Sequence, residues 1–358
     1  MVGANHSLFE WFSNELLLKQ LLAEQSTLAL LAVILFCIYL LSHGADWMID
    51  GVVELARRTG LPKVVIGATI VSLGTTLPEA FVSVMAAWMG NAGLALGNGV
   101  GSIIADTGLI FGLTCVLIAV RVDRYILNRT GWVQFGSAAL LVLLAVLAAA
   151  TAPPDTQPVL GRWVGFLFLT LLVGYLYITY LWARQSNDSQ QADEPSDDEE
   201  TAGWRSWLLV IGGLLLVISG ARILVPAASE VAVRFGVPED VIAATMVAFG
   251  TSLPELMTAI ASIRKGHPEI IIGNIVGADV LNTLFVIGAA SAAAPLAIPD
   301  NFYYFHFPAM MIILLSFRIF ISINREGMFR RWQGIWLLAV YGFYIVMQYG
   351  TDTAGVHA

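Results

Sequence analysis

Charge is what this sequence has least of. Only 12% of its 358 residues are Asp, Glu, Lys or Arg, about half of the ~25% carried by soluble globular domains, so a water-soluble module is excluded. Lys and Arg number 18 against 26 Asp and Glu, which leaves no electropositive surface to recruit a nucleic acid. Cysteine is nearly absent. Cys37 and Cys115 both lie in apolar stretches without metal-ligand spacing, which argues against a disulfide framework or a zinc site and for two core residues. The first 25 residues lack the basic stretch, short apolar run and small-residue site of a cleavable signal. Leu8, Phe9, Trp11, Phe12, Leu16 and Leu17 instead suggest an amphipathic helix lying at a membrane interface.

What is abundant is apolar length. Hydrophobic residues make up 58% of the chain and the mean hydropathy is +0.77. Taking about 20 apolar residues per crossing, ten spans are expected, at 28–52, 62–88, 94–119, 131–151, 160–183, 206–230, 238–263, 269–293, 303–322 and 332–349. The chain then divides into an interfacial segment (1–27), five helices (28–183), a linker (184–205), five more helices (206–349) and a tail (350–358). The linker contains Asp188, Asp193, Glu194, Asp197, Asp198, Glu199 and Glu200 with no base between Ser186 and Gly203, and a run so acidic and so poor in apolar residues stays solvated. With both termini outside, 14 of the 18 basic residues fall on the inner side and four, Lys19, Arg162, Arg222 and Arg234, on the outer. Positive charge inside thus predicts a multi-pass protein of the cell (inner) membrane, N-terminus and C-terminus outside.

The strongest signal is an internal repeat. At a constant offset of 176, Gly67–Gly112 aligns with Ala243–Gly288 without a gap, and 15 of the 46 positions are identical. Gly74-Thr75-Thr76-Leu77-Pro78-Glu79 returns as Gly250-Thr251-Ser252-Leu253-Pro254-Glu255, and Gly97-Asn98-Gly99-Val100-Gly101-Ser102 as Gly273-Asn274-Ile275-Val276-Gly277-Ala278. Five spans per repeat is an odd number, so the two copies enter the membrane from opposite sides. The expected fold is therefore an all-α polytopic membrane protein with ten transmembrane helices in two inverted five-helix repeats. Such inverted repeats are a transporter architecture whose site lies near the midplane.

The repeated residues define the chemistry. Pro78 and Pro254 have no N–H and crowd the preceding turn, which predicts kinked helices 2 and 7. The kinks would free carbonyls at about Ser72–Leu73 and Ala248–Phe249, and unpaired carbonyls at membrane depth are tolerated only where they line a cavity or meet a ligand. Thr75, Thr76, Thr251 and Ser252 place hydroxyls within a turn of Glu79 and Glu255; for each, back-bonding to the preceding turn is the alternative. Asp106 and Asn282 follow Ser102 and Ala278 by four residues, one turn along the same face. Asp279 is a further intramembrane acid. Asn98 and Asn274 read first as packing groups and second as ligands. A charged side chain at the membrane centre costs at least about 2.5–3.5 kcal/mol on insertion scales, and no basic residue stands in these spans to offset four acids, so bound cations or protons must balance them. Carboxylate, hydroxyl and carbonyl oxygens are what hard cations prefer. No organic cofactor is called for; inorganic cations and the lipid bilayer are the expected partners.

These paired G-T-[TS]-L-P-E segments, each followed by G-N-x-V-G, resemble the α-repeats of the cation/calcium exchanger superfamily, and within it the prokaryotic sodium/calcium exchangers. The resemblance implies a secondary antiporter, not an enzyme, in which calcium and sodium (or protons) exclude one another at one central site by alternating access. It implies that Glu79 and Glu255 hold the central calcium. It also implies that Thr75, Thr76, Thr251, Ser252 and the Ser72 and Ala248 carbonyls complete flanking sodium sites, with Ser102 a further ligand. Three departures stand out: Asp106 and Asn282 exchange the Asn and Asp of the usual pattern, Ala278 replaces a Ser, and the G-S-N triplets read Gly101-Ser102-Ile103 and Gly277-Ala278-Asp279. A calcium/proton exchanger of the same superfamily is the alternative. A cation channel would show flux independent of a counter-ion. An intramembrane aspartyl protease, prompted by Asp106 and Asp279, lacks the Tyr-Asp and Gly-x-Gly-Asp contexts.

Overall fold

The structure is a computed structural model that describes residues 15–59, 61, 63–118, 120–121, 124–186, 203–235, 252–324 and 328–355. Its helices in chain order are α1 (Glu15–Ala23), α2 (Thr27–Thr59), α3 (Lys63–Trp88), α4 (Ala92–Leu117), α5 (Arg124–Thr151), α6 (Arg162–Ser186), α7 (Gly203–Arg234), α8 (Leu253–Arg264), α9 (Pro268–Ala293), α10 (Phe302–Ile323) and α11 (Arg331–Gly355). Eight of them are long and apolar enough to cross a membrane among the described residues: α2 to α7, α9 and α10. The first half of the expected seventh span, 238–251, the acidic part of the linker and the interfacial residues before Glu15 lie outside the described residues. Helix α1 itself seats Leu18 and Leu22 against Leu30 of α2 and Ala227 of α7.

Helix α9 is the axis. Every residue from Ile270 to Leu281 is buried, and a helix that is apolar all round belongs in the middle of a bundle. Around it, α2, α5, α6, α7 and α11 turn large apolar residues outward, among them Leu35, Phe36, Trp132, Leu147, Phe166, Val173, Leu215 and Phe343. Hydrocarbon, not water, is the solvent such a surface requires. The two free cysteines are both buried, as the sequence suggested.

Two short antiparallel pairs tie the ends of the bundle. Strand β1 (Val120–Arg121) joins β4 (Met328–Phe329), with Val120 opposite Phe329. Strand β2 (Val159–Leu160) joins β3 (Leu296–Ala297), with Leu160 opposite Leu296. Pairing places the α4–α5 and α10–α11 connections on one face and the α5–α6 and α9–α10 connections on another. Ion pairs extend the first face: Lys63 Nζ meets Glu269 Oε1 at 3.3 Å, and Lys265 Nζ meets Asp50 Oδ1 at 2.7 Å.

The repeat is visible in local backbone. Gly90 (φ 79°) and Gly266 (φ 75°) close α3 and α8 in the left-handed region, where glycine carries no Cβ penalty. Around them Asn91 N–H donates to the Ala86 carbonyl and His267 N–H to the Ser262 carbonyl, both at 2.8 Å. A π-helical turn begins at Asp106 in α4 and at Asn282 in α9. All three pairs are 176 residues apart. In α3 a further irregularity precedes the proline. Ser72–Trp88 stays α-helical through Pro78, and the interruption is a π turn one step earlier, at Gly67–Val71. The cause is packing. Gly277 of α9 approaches so closely that a Cβ there would stand 2.5 Å from the Ala68 carbonyl oxygen, and the Ser72 hydroxyl reaches both the Gly67 carbonyl (2.7 Å) and, across the helices, the Asn274 carbonyl (3.0 Å).

Candidate cation site

Helices α3, α4, α8 and α9 meet where the repeated motifs lie. Glu79, Ser72, Thr75 and Thr76 come from α3, Ser102 and Asp106 from α4, Ser252 and Glu255 from the start of α8, and Asn274, Asp279 and Asn282 from α9; all are buried. Pro254 sits in the first turn of the described α8, where its missing N–H is no loss. Glu255 beside it faces the positive end of the helix dipole. Thr251 and Ala248 lie outside the described residues.

The four acids form one electrostatic unit. Glu79 and Glu255 repel each other across the repeats, and Asp106 feels Glu255, Asp279 and Glu79. Ten side-chain oxygens of this group are buried without a hydrogen-bond partner: Thr76 Oγ1, Glu79 Oε2, Ser102 Oγ, both of Asp106, Ser252 Oγ, Glu255 Oε2, Asn274 Oδ1, Asp279 Oδ1 and Asn282 Oδ1. Leaving a charged oxygen buried and unpaired costs several kcal/mol in proteins, so this density of unmet acceptors calls for a positive ligand. Among the described residues no three His, Cys, Asp or Glu side chains converge on a point; an ion held here must also draw on hydroxyl and carbonyl oxygens. Ser252 stands close to Asp106 and Thr75 close to Glu255, each pair spanning the two repeats.

Other candidates are already engaged. Thr75 Oγ1 donates to the Ser72 carbonyl at 3.3 Å, the back-bonding alternative, so that carbonyl is not free. Asn98 Nδ2 donates to the Glu79 carbonyl (3.0 Å) and to Ser83 Oγ (2.9 Å), bracing α3 against α4. Two residues that sequence reasoning missed complete the picture. Asp279 Oδ2 accepts from Thr107 Oγ1 at 2.5 Å and from Gln134 Nε2 of α5 at 2.6 Å. Thr107 is one of the identities between the repeats, and Gln134 is a lone amide in an apolar span; both signals were present in the sequence.

Buried oxygens without counter-charge, at the crossing of membrane helices, define a cation-translocating membrane protein. The comparisons with known proteins specify it. The family described as Sodium/calcium exchanger protein matches residues 29–181 and 205–350. The chain belongs to this family and is a cation antiporter of the prokaryotic exchanger kind. It is 32% identical over 309 residues to an uncharacterised membrane protein of Methanocaldococcus jannaschii, covering 84% of this chain and 92% of that one. It is 28% identical over 342 residues to the sodium/calcium exchanger MaX1 of Methanosarcina acetivorans, covering 88% and 97%. The solved structure of the sodium–calcium exchanger NCX_Mj, soaked with sodium and strontium, superposes with a TM-score of 0.75 and 27% identity over 90% of this chain and 99% of that one.

Proposed function

We propose that this chain exchanges calcium for sodium by alternating access, with Glu79, Glu255 and Asp106 carrying the charge of the site. The observation that supports it most is the set of ten buried, unpartnered oxygens with no cationic side chain among them. Calcium takes six to eight oxygens and tolerates irregular geometry, which suits a cluster built from four helices. Thr76, Ser102, Ser252 and Asn282 supply neutral oxygens for sodium, with Thr251 and the Ala248 carbonyl as further members, while Thr75 and the Ser72 carbonyl would join only by giving up the hydrogen bond between them. A proton needs only a carboxylate, so hydroxyls left unpaired beside the acids favour sodium over protons as the coupling ion.

The antiport geometry rests on ten spans in two inverted five-helix repeats, 28–183 and 206–349, joined by the linker 184–205. Its support is the matched glycine turns, the matched π turns at Asp106 and Asn282, and the strand pairs, which sort the connections onto two faces in alternation. With the basic residues concentrated on one of those faces, the inner-membrane orientation has both termini outside. Calcium uptake into proteoliposomes under separate sodium and pH gradients tests the coupling. An outward sodium gradient is expected to drive uptake. Uptake driven by a pH gradient alone would assign the chain to calcium/proton exchange instead.

A further inference from the structure

The two halves of the site are not chemically equal. At the offset of 176, Asp279 corresponds to Ile103, Asn282 to Asp106 and Ala278 to Ser102. The second repeat therefore lacks the acid at the start of its π turn and has one three residues earlier, on the same helix face. The threonines after the π-turn starts diverge too. Thr283 Oγ1 bonds back to the Asp279 carbonyl in its own helix at 3.2 Å, whereas Thr107 Oγ1 crosses to the Asp279 side chain at 2.5 Å.

Two donors converge on one oxygen of Asp279. An amide N–H cannot accept, and Gln134 Nε2 also lies 3.3 Å from Thr107 Oγ1, so the hydroxyl accepts from the amide and passes its proton toward Asp279 Oδ2. That arrangement suits a carboxylate, because charge-assisted hydrogen bonds are the stronger kind. It occupies Oδ2 and fixes the side chain's rotation. Oδ1 is left buried and unpartnered, beside the residue that immediately follows Asp106.

We propose that Asp279 is a specificity-determining residue of the cation site, with Thr107 and Gln134 as the positioning residues that hold its carboxylate toward the bound ion. This deepens the exchange proposed above and rests on it. A fourth fixed negative charge acts on a divalent ion with twice the energy it exerts on a monovalent one at the same distance. Asp279 therefore biases the site toward calcium over sodium, restoring to the second repeat the charge that Asn282 lacks.

The test is calcium and sodium binding by the purified full chain in detergent, read as direct calcium affinity and as the sodium concentration that displaces calcium. Asp279→Asn keeps the shape and an oxygen able to accept both hydrogen bonds while removing the charge. It is expected to weaken calcium binding on the order of tenfold or more, with a smaller change for sodium and little change in Tm. Asp279→Glu is expected to recover part of the calcium preference. Thr107→Val and Gln134→Leu, which keep the charge and remove its guides, are expected to shift the preference in the same direction by a smaller factor. An unchanged calcium-to-sodium ratio in Asp279→Asn would overturn the assignment, and so would equal losses for both ions together with a lowered Tm, which is the mark of a merely structural role. A wild-type chain that binds no calcium would count against the exchange itself, not against Asp279.

Discussion

Single residues of this site divide into those left unpaired and those fully used, and the two groups respond differently to substitution. Asp106 has both oxygens buried and unpartnered, so Asp106→Asn costs the fold little and removes a charge from the ion's surroundings. The expected result is calcium uptake reduced several-fold or more, with thermal unfolding in detergent close to wild type. Asn98 is the opposite case. Its amide satisfies a buried carbonyl and a hydroxyl, and Asn98→Ala leaves both unmet, at a cost of about 1–3 kcal/mol. A lowered Tm with calcium binding retained in the folded fraction is the expected outcome; unchanged stability together with lost binding would make Asn98 a ligand and not a brace.

At the scale of elements, the decisive contact is α9 against α3. Gly277 has no room for a side chain beside Ala68 and the Ser72 hydroxyl. Gly277→Val is therefore expected to force the helices apart, destabilising the chain by about 1–3 kcal/mol as overpacking does and reducing transport. Denaturation in detergent and uptake in proteoliposomes check the two parts. The surface ion pair of Lys265 with Asp50 joins α8 to α2, but exposed pairs contribute only about 0–1 kcal/mol, and Lys265→Ala is expected to leave Tm nearly unchanged. Much of this level was legible in advance. The offset of 176 gave the matched positions of Asp106 and Asn282, and the glycine turns at Gly90 and Gly266 obey the same offset. The backbone break in α3 was not legible. Pro78 is a local signal and Ser72–Trp88 accommodates it within a continuous helix, whereas the π turn at Gly67–Val71 is set by α9, some 200 residues away in sequence. The grip of Gln134 on Asp279 spans 145 residues, and no spacing rule reaches that far.

For the whole molecule, composition and the internal repeat were enough for the class, a membrane transporter, while membership came from the resemblance of the paired G-T-[TS]-L-P-E and G-N-x-V-G segments to a known family. The proposed sidedness draws on the strand pairs together with the basic residues. Because Cys37 and Cys115 are buried, single cysteines can be read against a low background. Asp155→Cys and Asp300→Cys, at the ends carrying β2 and β3, are expected to react with a membrane-impermeant thiol reagent from outside intact cells, and Gly266→Cys only after permeabilisation. Labelling of all three from one side would contradict the inverted arrangement. The central claim, that the buried carboxylates are the transport site, is tested most directly by sodium-gradient-driven calcium uptake in proteoliposomes of wild type, Glu79→Gln and Glu255→Gln reconstituted at equal density. Uptake by wild type and none by either variant is the expected result; a Glu79→Gln protein that transports calcium at the wild-type rate would contradict it.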